Sequence, residues 1–367
     1  NITLEQQYNK REHTQDLELN KLYNIAEALR TYKKEHNLID FNDMILDFVK
    51  SDLSPKFDVV FIDEAQDLSL MQWDMTKSIW NKSEDSFIAG DDDQAIFKWA
   101  GADVDSFIAL QDQMINLPLI QSHRIPMKVH QLAMGIINRI KHRIDKTWRP
   151  KTNEGSLHRH FDIDSVDMSS GEWLVLARTN YLLEEVDEYC RNEGWFFEIK
   201  GRASIAQVKV RSVVLWERLS KGDSISISEC ANILKYIKVK KPKKLETLDT
   251  SLPLKYADLK TLFPDLPEGH WFDVFTLLSV KEISYIRAML RRGEKITKQP
   301  RIRLSTIHAA KGGEADNVVL LTDITTRVYK NYQENPDDEN RVFYVGITRT
   351  KKNLFLIEPQ TTRCYQL

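Results

Sequence analysis

The stretch Val59-Val60-Phe61-Ile62-Asp63-Glu64-Ala65-Gln66-Asp67 decides the fold. Four apolar residues in a row, three of them β-branched, describe a buried strand of a parallel sheet. The run stops at two adjacent carboxylates. Open parallel sheets bind ligands in the crevice beyond the carboxyl ends of their strands, so this charge is delivered where a ligand would sit. There Asp63 could hold a magnesium ion, directly or through water. Glu64 could orient and deprotonate a water aimed at a phosphate. An exposed acidic turn after a core strand has the same local appearance, so the rest of the chain must decide between them.

The chain has 367 residues, more than one typical domain, and its 42% hydrophobic and 29% charged residues are ordinary for a globular protein. The net charge of −2 gives no global basic signature, so any nucleic-acid contact must come from local clustering. Cys190, Cys230 and Cys364 are scattered and odd in number. They suggest a reducing compartment such as the cytoplasm, and neither a disulfide framework nor a zinc site. No apolar run approaches the roughly 18 residues of a membrane span, so no membrane partner is expected. The first residue is Asn1, from which we expect the chain to be part of something longer.

Working outward, residues 1–15 are polar, and an amphipathic helix with Leu19, Leu22, Tyr23, Ile25, Ala26 and Leu29 on one stripe follows. Asp40 is placed to cap a second helix, with Asp43 in its first turn. After the strand at 59–62, a helical pattern from Leu68 to Trp80 leads to a short strand, Ser86 to Ala89. That strand again ends in polar groups, Gly90-Asp91-Asp92-Asp93-Gln94. Leu117 to Ile120 is a short apolar piece, Val129 to Ile144 a long helix with a basic outer face, and 145–170 loop-rich. Strands at 173–177 and 195–199 enclose a helix from Leu182 to Arg191, which argues for a second parallel sheet. Residues 206–298 break the rhythm with helical pieces and a basic run from Lys235 to Lys244 that reads as a solvated face. Strands at 303–307, 318–321 and 354–357 and a helix from Arg341 to Thr348 then resume the alternation. The expected fold class is α/β, with two parallel sheets and a helical insertion that interrupts the second.

These residues carry a resemblance. Ile62-Asp63-Glu64-Ala65-Gln66-Asp67 and Gly90-Asp91-Asp92-Asp93-Gln94-Ala95-Ile96-Phe97-Lys98-Trp99-Ala100-Gly101-Ala102 resemble the second and third motifs of UvrD/Rep-type superfamily 1 helicases. Gln121-Ser122-His123-Arg124 resembles the fourth, Thr306-Ile307-His308-Ala309-Ala310-Lys311-Gly312-Gly313-Glu314 the fifth, and Tyr344-Val345-Gly346-Ile347-Thr348-Arg349-Thr350-Lys351-Lys352 the sixth. Each is weak alone; the ordered set is strong. The resemblance implies boundaries at 1–38 for a remnant of a helical 1B-like subdomain and 39–115 for an incomplete first RecA-like domain. It places the second RecA-like domain at 116–205 and 299–367, interrupted at 206–298 by a reduced 2B-like insertion. It implies ATP and Mg2+ as cofactors and single-stranded or 3′-tailed duplex DNA as partner, in a bacterial or phage-infected cell. Asp63 would handle the metal and Glu64 the attacking water. Gln94 would sense the γ-phosphate, with Arg124 and Arg349 as the cations that meet it. Glu314 would hold the ribose and His123 would stack on adenine. Trp99 and Phe97 would stack on bases, with His308, Lys311 and Thr306 on the strand backbone and Arg178, Thr179 and Asn180 as further candidates. Taken singly, Gln94 is a surface amide, the arginines are solvated, and the aromatics are core.

Several positions depart from the family. Ala100 stands where an Arg is usual, Gly313 for a Leu and Ala315 for a Phe. The larger departure is that no Gly-x-x-x-x-Gly-Lys-Ser/Thr order occurs in the sequence. Without that cradle the β- and γ-phosphates lack a preorganised site. The expectation is therefore a helicase portion that is itself inactive as an ATPase, completed by a missing N-terminal segment or partner fragment. The alternative is a non-catalytic scaffold that binds single-stranded DNA or protein. A helicase–nuclease subunit is disfavoured, since nothing after the sixth motif is long enough for a nuclease.

Overall fold

A computed structural model describes residues 18–239, 253–296 and 299–367, together with Leu4, Glu5 and Tyr8. Most of the expected irregular start and the second half of the 235–244 basic run lie outside these. The chain divides into two compact units. The first comprises residues 1–120, 137–147 and 337–341; the second comprises 121–136, 148–336 and 342–367.

In the first unit, strand β1 (Val59–Ile62) pairs in parallel with β2 (Asp85–Ile88), Val60 opposite Ser86 and Ile62 opposite Ile88. Helix Leu70–Trp80 makes the crossover, capped by Ser69 and Gln72 in a reciprocal box. Asp40 caps helix Phe41–Ser51 as expected, accepting from the Asp43 amide while the Asp43 carboxylate accepts from that of Asp40. Lys33 bonds both carboxylates, at 2.9 and 2.6 Å. The helix begins with no charge mismatch.

The parallel pair is as expected, but the burial is not. Only one face of β1 is covered: Ile62 and Ile88 pack on a small core around Ala65, Trp73 and Leu110. Val59 and Phe61 are 46% and 77% exposed, and Phe87 is 50% exposed. Phe61 and Phe87 stack on each other, centroids 4.9 Å apart. An apolar run reports that a strand could be covered on both sides; here the described residues supply cover for one.

The second unit holds a seven-stranded sheet in the order β3-β9-β8-β4-β7-β5-β6. The strands are β3 (Ser156–His160), β4 (Trp173–Ala177), β5 (Phe197–Ile199), β6 (Arg202–Ala203), β7 (Ile302–Thr306), β8 (Ala315–Leu321) and β9 (Thr350–Ile357). All pairs are parallel except β5 with β6. The central strand β4 is buried along its whole length. Its core continues through Val175, Ile302 and Leu304 into Trp216, Phe275 and Ile286, so the helices between 207 and 292 share the sheet's core. Two expectations change here. β3 lies inside the stretch read as loop; an edge strand reading Ser-Leu-His-Arg-His has too little apolar content to announce itself. The helix expected over 129–144 is Met127–Ile137, and 138–147 leave the helix.

Opposite outcomes are expected for two apolar truncations. Leu176→Ala, in fully buried β4, should destabilise the second unit by about 2–5 kcal/mol. Phe61→Ser, on the uncovered face, should change the first unit by less than about 0.5 kcal/mol. Urea midpoints of the two variants check this; a large loss at Phe61 would mean the face is covered.

Candidate active site

Asp63 and Glu64 follow β1 at its carboxyl end and are both exposed. The backbone turns there because Glu64 takes a left-handed conformation, φ 50°, with its amide donating to Asp63 Oδ1 at 2.9 Å. Ala65 N then bonds Ala89 O at 3.0 Å, which ties this turn to the end of β2. Next along from Ala89 is Gly90, where a Cβ would lie 2.6 Å from Gln66 Oε1 and 2.7 Å from the Phe107 ring. Glycine is needed there because the Gln66 side chain occupies the space.

Gln66 is fully buried. Its Nε2 donates to Glu64 Oε2 at 2.6 Å and its Oε1 accepts from Asp91 N at 2.9 Å. Asp91 in turn accepts from Gln94 Nε2 at 2.6 Å on Oδ2. The two residues expected to act on a water and a γ-phosphate, Glu64 and Gln94, are thus joined through Gln66 and Asp91.

The aspartate turn is held by cations from outside the 63–94 stretch. Arg143 forks onto both oxygens of Asp93, each bond 2.8 Å. Lys146 reaches Asp91 at 3.0 Å and Asp93 at 2.9 Å, and bonds Asp92 as well. Arg341 donates Nε–H to the Asp92 carbonyl at 2.9 Å and also bonds His142 O. Asp92 and Asp93 are buried, 1% and 0% exposed. Burial raises the cost of ionising Asp93, yet the Arg143 fork and the Lys146 charge hold its carboxyl below the ordinary aspartate range. Burial likewise disfavours the charge on Lys146, but the three carboxylates push its ammonium well above the usual lysine value. Among the described residues these three aspartates are the acidic group close enough to share a metal ion. Lys146 already stands among them, so they do not fit that role. Asp63, an exposed hard oxygen donor at the strand end, does fit magnesium.

Trp99 is 68% exposed and Phe97 half-buried, their rings edge to face with centroids 6.5 Å apart.

In the second unit the expected residues form two groups. Arg124 Nε donates to Glu314 Oε2 at 2.7 Å, and Lys351 approaches the same carboxylate at 3.6 Å. Burial raises the Glu314 carboxyl, but these two cations hold it below its ordinary range. Arg349 is 2% exposed and donates to Val345 O at 3.0 Å and toward Gly313 O at 3.4 Å. Arg124, Arg349 and Glu314 therefore surround one segment, with His123 exposed beside it. The second group is Thr306 at the end of β7 with His308 and Lys311 after it, next to Arg178, Thr179 and Asn180 after β4. Ala177 pairs with Thr306, which makes these neighbouring strand ends.

The sequence matches the UvrD/REP helicase N-terminal domain over residues 1–115 and the UvrD-like helicase C-terminal domain over 212–361, together more than half the chain. The chain belongs to the UvrD-like helicases. It is 21% identical to the probable DNA helicase II homolog of Rickettsia conorii, covering 90% of this chain and 66% of that protein. It is 21% identical to the ATP-dependent DNA helicase Rep of Buchnera aphidicola, covering 93% and 70%, and 22% identical to PcrA of Bacillus subtilis, covering 58% and 33%. The chain thus spans about two thirds of the first two. The N-terminal match includes the stretch read above as lacking its phosphate loop, so the comparison lends that absence no support.

Gln66 was quoted in the deciding stretch but carried no expected role. Arg143, Lys146 and Arg341 had no signal at all. Arg143 lies in the expected basic outer face of a helix over 129–144 and Lys146 in the expected loop, but the helix ends at Ile137 and both side chains turn onto the aspartates.

Lys146→Met should leave buried carboxylates uncompensated and cost the first unit about 3–5 kcal/mol. The pH dependence follows from both groups. Asp93, lowered in the folded state, contributes stability above the unfolded value of about 3.9, lost as pH falls through the folded value. Lys146, raised, contributes fully below about 10.4, and its share is lost as pH rises through the folded value. Between these limits the first unit should hold constant stability, and in Lys146→Met its acid transition should move to higher pH, as followed by Trp fluorescence.

Proposed function

We propose that this chain is part of an ATP-dependent DNA helicase that moves 3′ to 5′ on single-stranded DNA. The observation that carries the reading is the linked set at the ends of β1 and β2. Asp63 and Glu64 are exposed there, and Gln94 is held to Glu64 through Gln66 and Asp91. A scaffold has no use for a water-orienting carboxylate and an amide locked together at a ligand-binding sheet end. In this reading Asp63 holds magnesium, which screens phosphate charge when bound with ATP. Glu64 accepts a proton from the attacking water, and Gln94 positions that water by donating and accepting through one amide. The second unit contributes Arg124 and Arg349 as cations for the γ-phosphate and Glu314 for the ribose. Trp99 offers the main stacking surface for a base, Phe97 a smaller one, and His308, Lys311 and Thr306 meet the strand backbone.

We also propose that the chain by itself turns over ATP negligibly, because the residue order that cradles phosphates is absent from it. Among the described residues the face of Val59, Phe61 and Phe87 is uncovered, and a segment bearing that loop would pack there.

Two assays test this. Fluorescence anisotropy with a labelled oligo-dT should show binding by the chain, weakened about tenfold in Trp99→Ala. Phosphate release with ATP, Mg2+ and the same strand should stay at background. Sustained turnover would end the inactivity proposal; absence of strand binding would end the motor reading and favour a protein-binding scaffold.

A further inference from the structure

Gln66 has no assigned role, although its side chain bonds Glu64 directly and reaches Gln94 through Asp91. It is 0% exposed, and both ends of its amide are engaged. The orientation is forced: Nε2 faces a carboxylate and Oε1 faces a backbone N–H, so a flipped amide would oppose like to like at both ends. On one side it grips Oε2 of Glu64, whose own backbone is in the left-handed region. On the other it fixes the Asp91 amide at the point where Gly90 has given up a side chain to let it pass. Asp91 is the hub beyond it. Its Oδ1 takes Lys146 and the Asp93 amide, and its Oδ2 takes the Gln94 side chain.

We propose that Gln66 is a positioning residue that holds Glu64 and Gln94 in fixed mutual geometry, acting through the Asp91 hub. This rests on the functional reading above for the roles of Glu64 and Gln94, though not for the linkage itself. Glu64 is exposed and side chains at exposed positions sample several rotamers. A buried donor anchored at its far end removes that freedom before any substrate arrives. Water orientation is sensitive to such placement, because misplacement of about 1 Å costs on the order of a hundredfold in rate. Lys146 anchors the same hub from the opposite side, so the linkage has a fixed end.

The test uses the full chain, isotopically labelled, with no nucleotide present. Its failure is therefore separate from any failure of ATP use or strand binding. Three signals are followed by NMR: exchange of the Asp91 amide, the side-chain NH2 of Gln94, and the carboxyl carbon of Glu64. Gln66→Leu removes both bonds. Asp91 exchange should rise roughly tenfold or more, and both the Gln94 and Glu64 signals should shift. Gln66→Glu keeps an oxygen for the Asp91 amide but loses the N–H for Glu64. Asp91 exchange should stay near its original rate while the Glu64 carbon moves. That split is the signature of positioning. Unchanged Gln94 and Glu64 signals in Gln66→Leu would overturn the proposal. Equal loosening of the whole first unit in both variants, without the split, would reduce Gln66 to packing and overturn it as well.

Discussion

A lysine among three aspartates is the constraint on which the first unit depends. Lys146 bonds Asp91, Asp92 and Asp93, Arg143 forks onto Asp93, and Arg341 holds the Asp92 carbonyl. Each carboxylate is expensive to bury alone. Lys146 and Arg143 give all three carboxylates a cationic hydrogen-bonded partner. The apolar core around Ala65, Trp73 and Leu110 is small, and among the described residues one face of the parallel pair is uncovered. The polar lock therefore carries a share of order that a larger core would otherwise supply. It also fixes the turn on which Gln94 sits, so structural order and candidate chemistry have one origin.

The second unit is built differently. Its sheet is covered, β4 is buried end to end, and aromatic residues such as Trp216, Phe275 and Phe197 fill a continuous core. Its candidate residues sit at the ends of β4 and β7, in the segment after β7, before helix Met127–Ile137 and just before β9, where Arg349 is itself buried. Glu314 illustrates the difference. It is paired with Arg124 at a partly exposed site, where the ion pair adds little to stability but sets the direction in which both side chains point.

How much of this was legible depended on whether the signal was local. β1, β2, β4, β5, β7, β8 and β9 could be read because each carries apolar residues in a short run or, in β7, in alternation, and the fold class followed from their alternation with helices. The site's carboxylates could be read because they end such runs. β3 could not, since its pairing with β9 joins segments about 200 residues apart and its own composition is polar. The roles of Arg143, Lys146 and Arg341 were illegible for the same reason: a buried ion pair is a property of two distant segments. Gln66 lay in plain view, yet nothing local shows that its amide spans two backbone segments. The burial of Phe61 was misread because an apolar residue records what could cover it and not what does.

The aspartate turn is ordered by its cations and not by its own sequence. A double-mutant cycle on Lys146→Met and Asp93→Asn, scored by the unfolding free energy of the first unit, tests it most directly. Strong coupling is expected, of about 2 kcal/mol or more, with the double variant less destabilised than the sum of the singles. Additive effects within about 0.5 kcal/mol would contradict it, because the turn would then hold its shape without the pair.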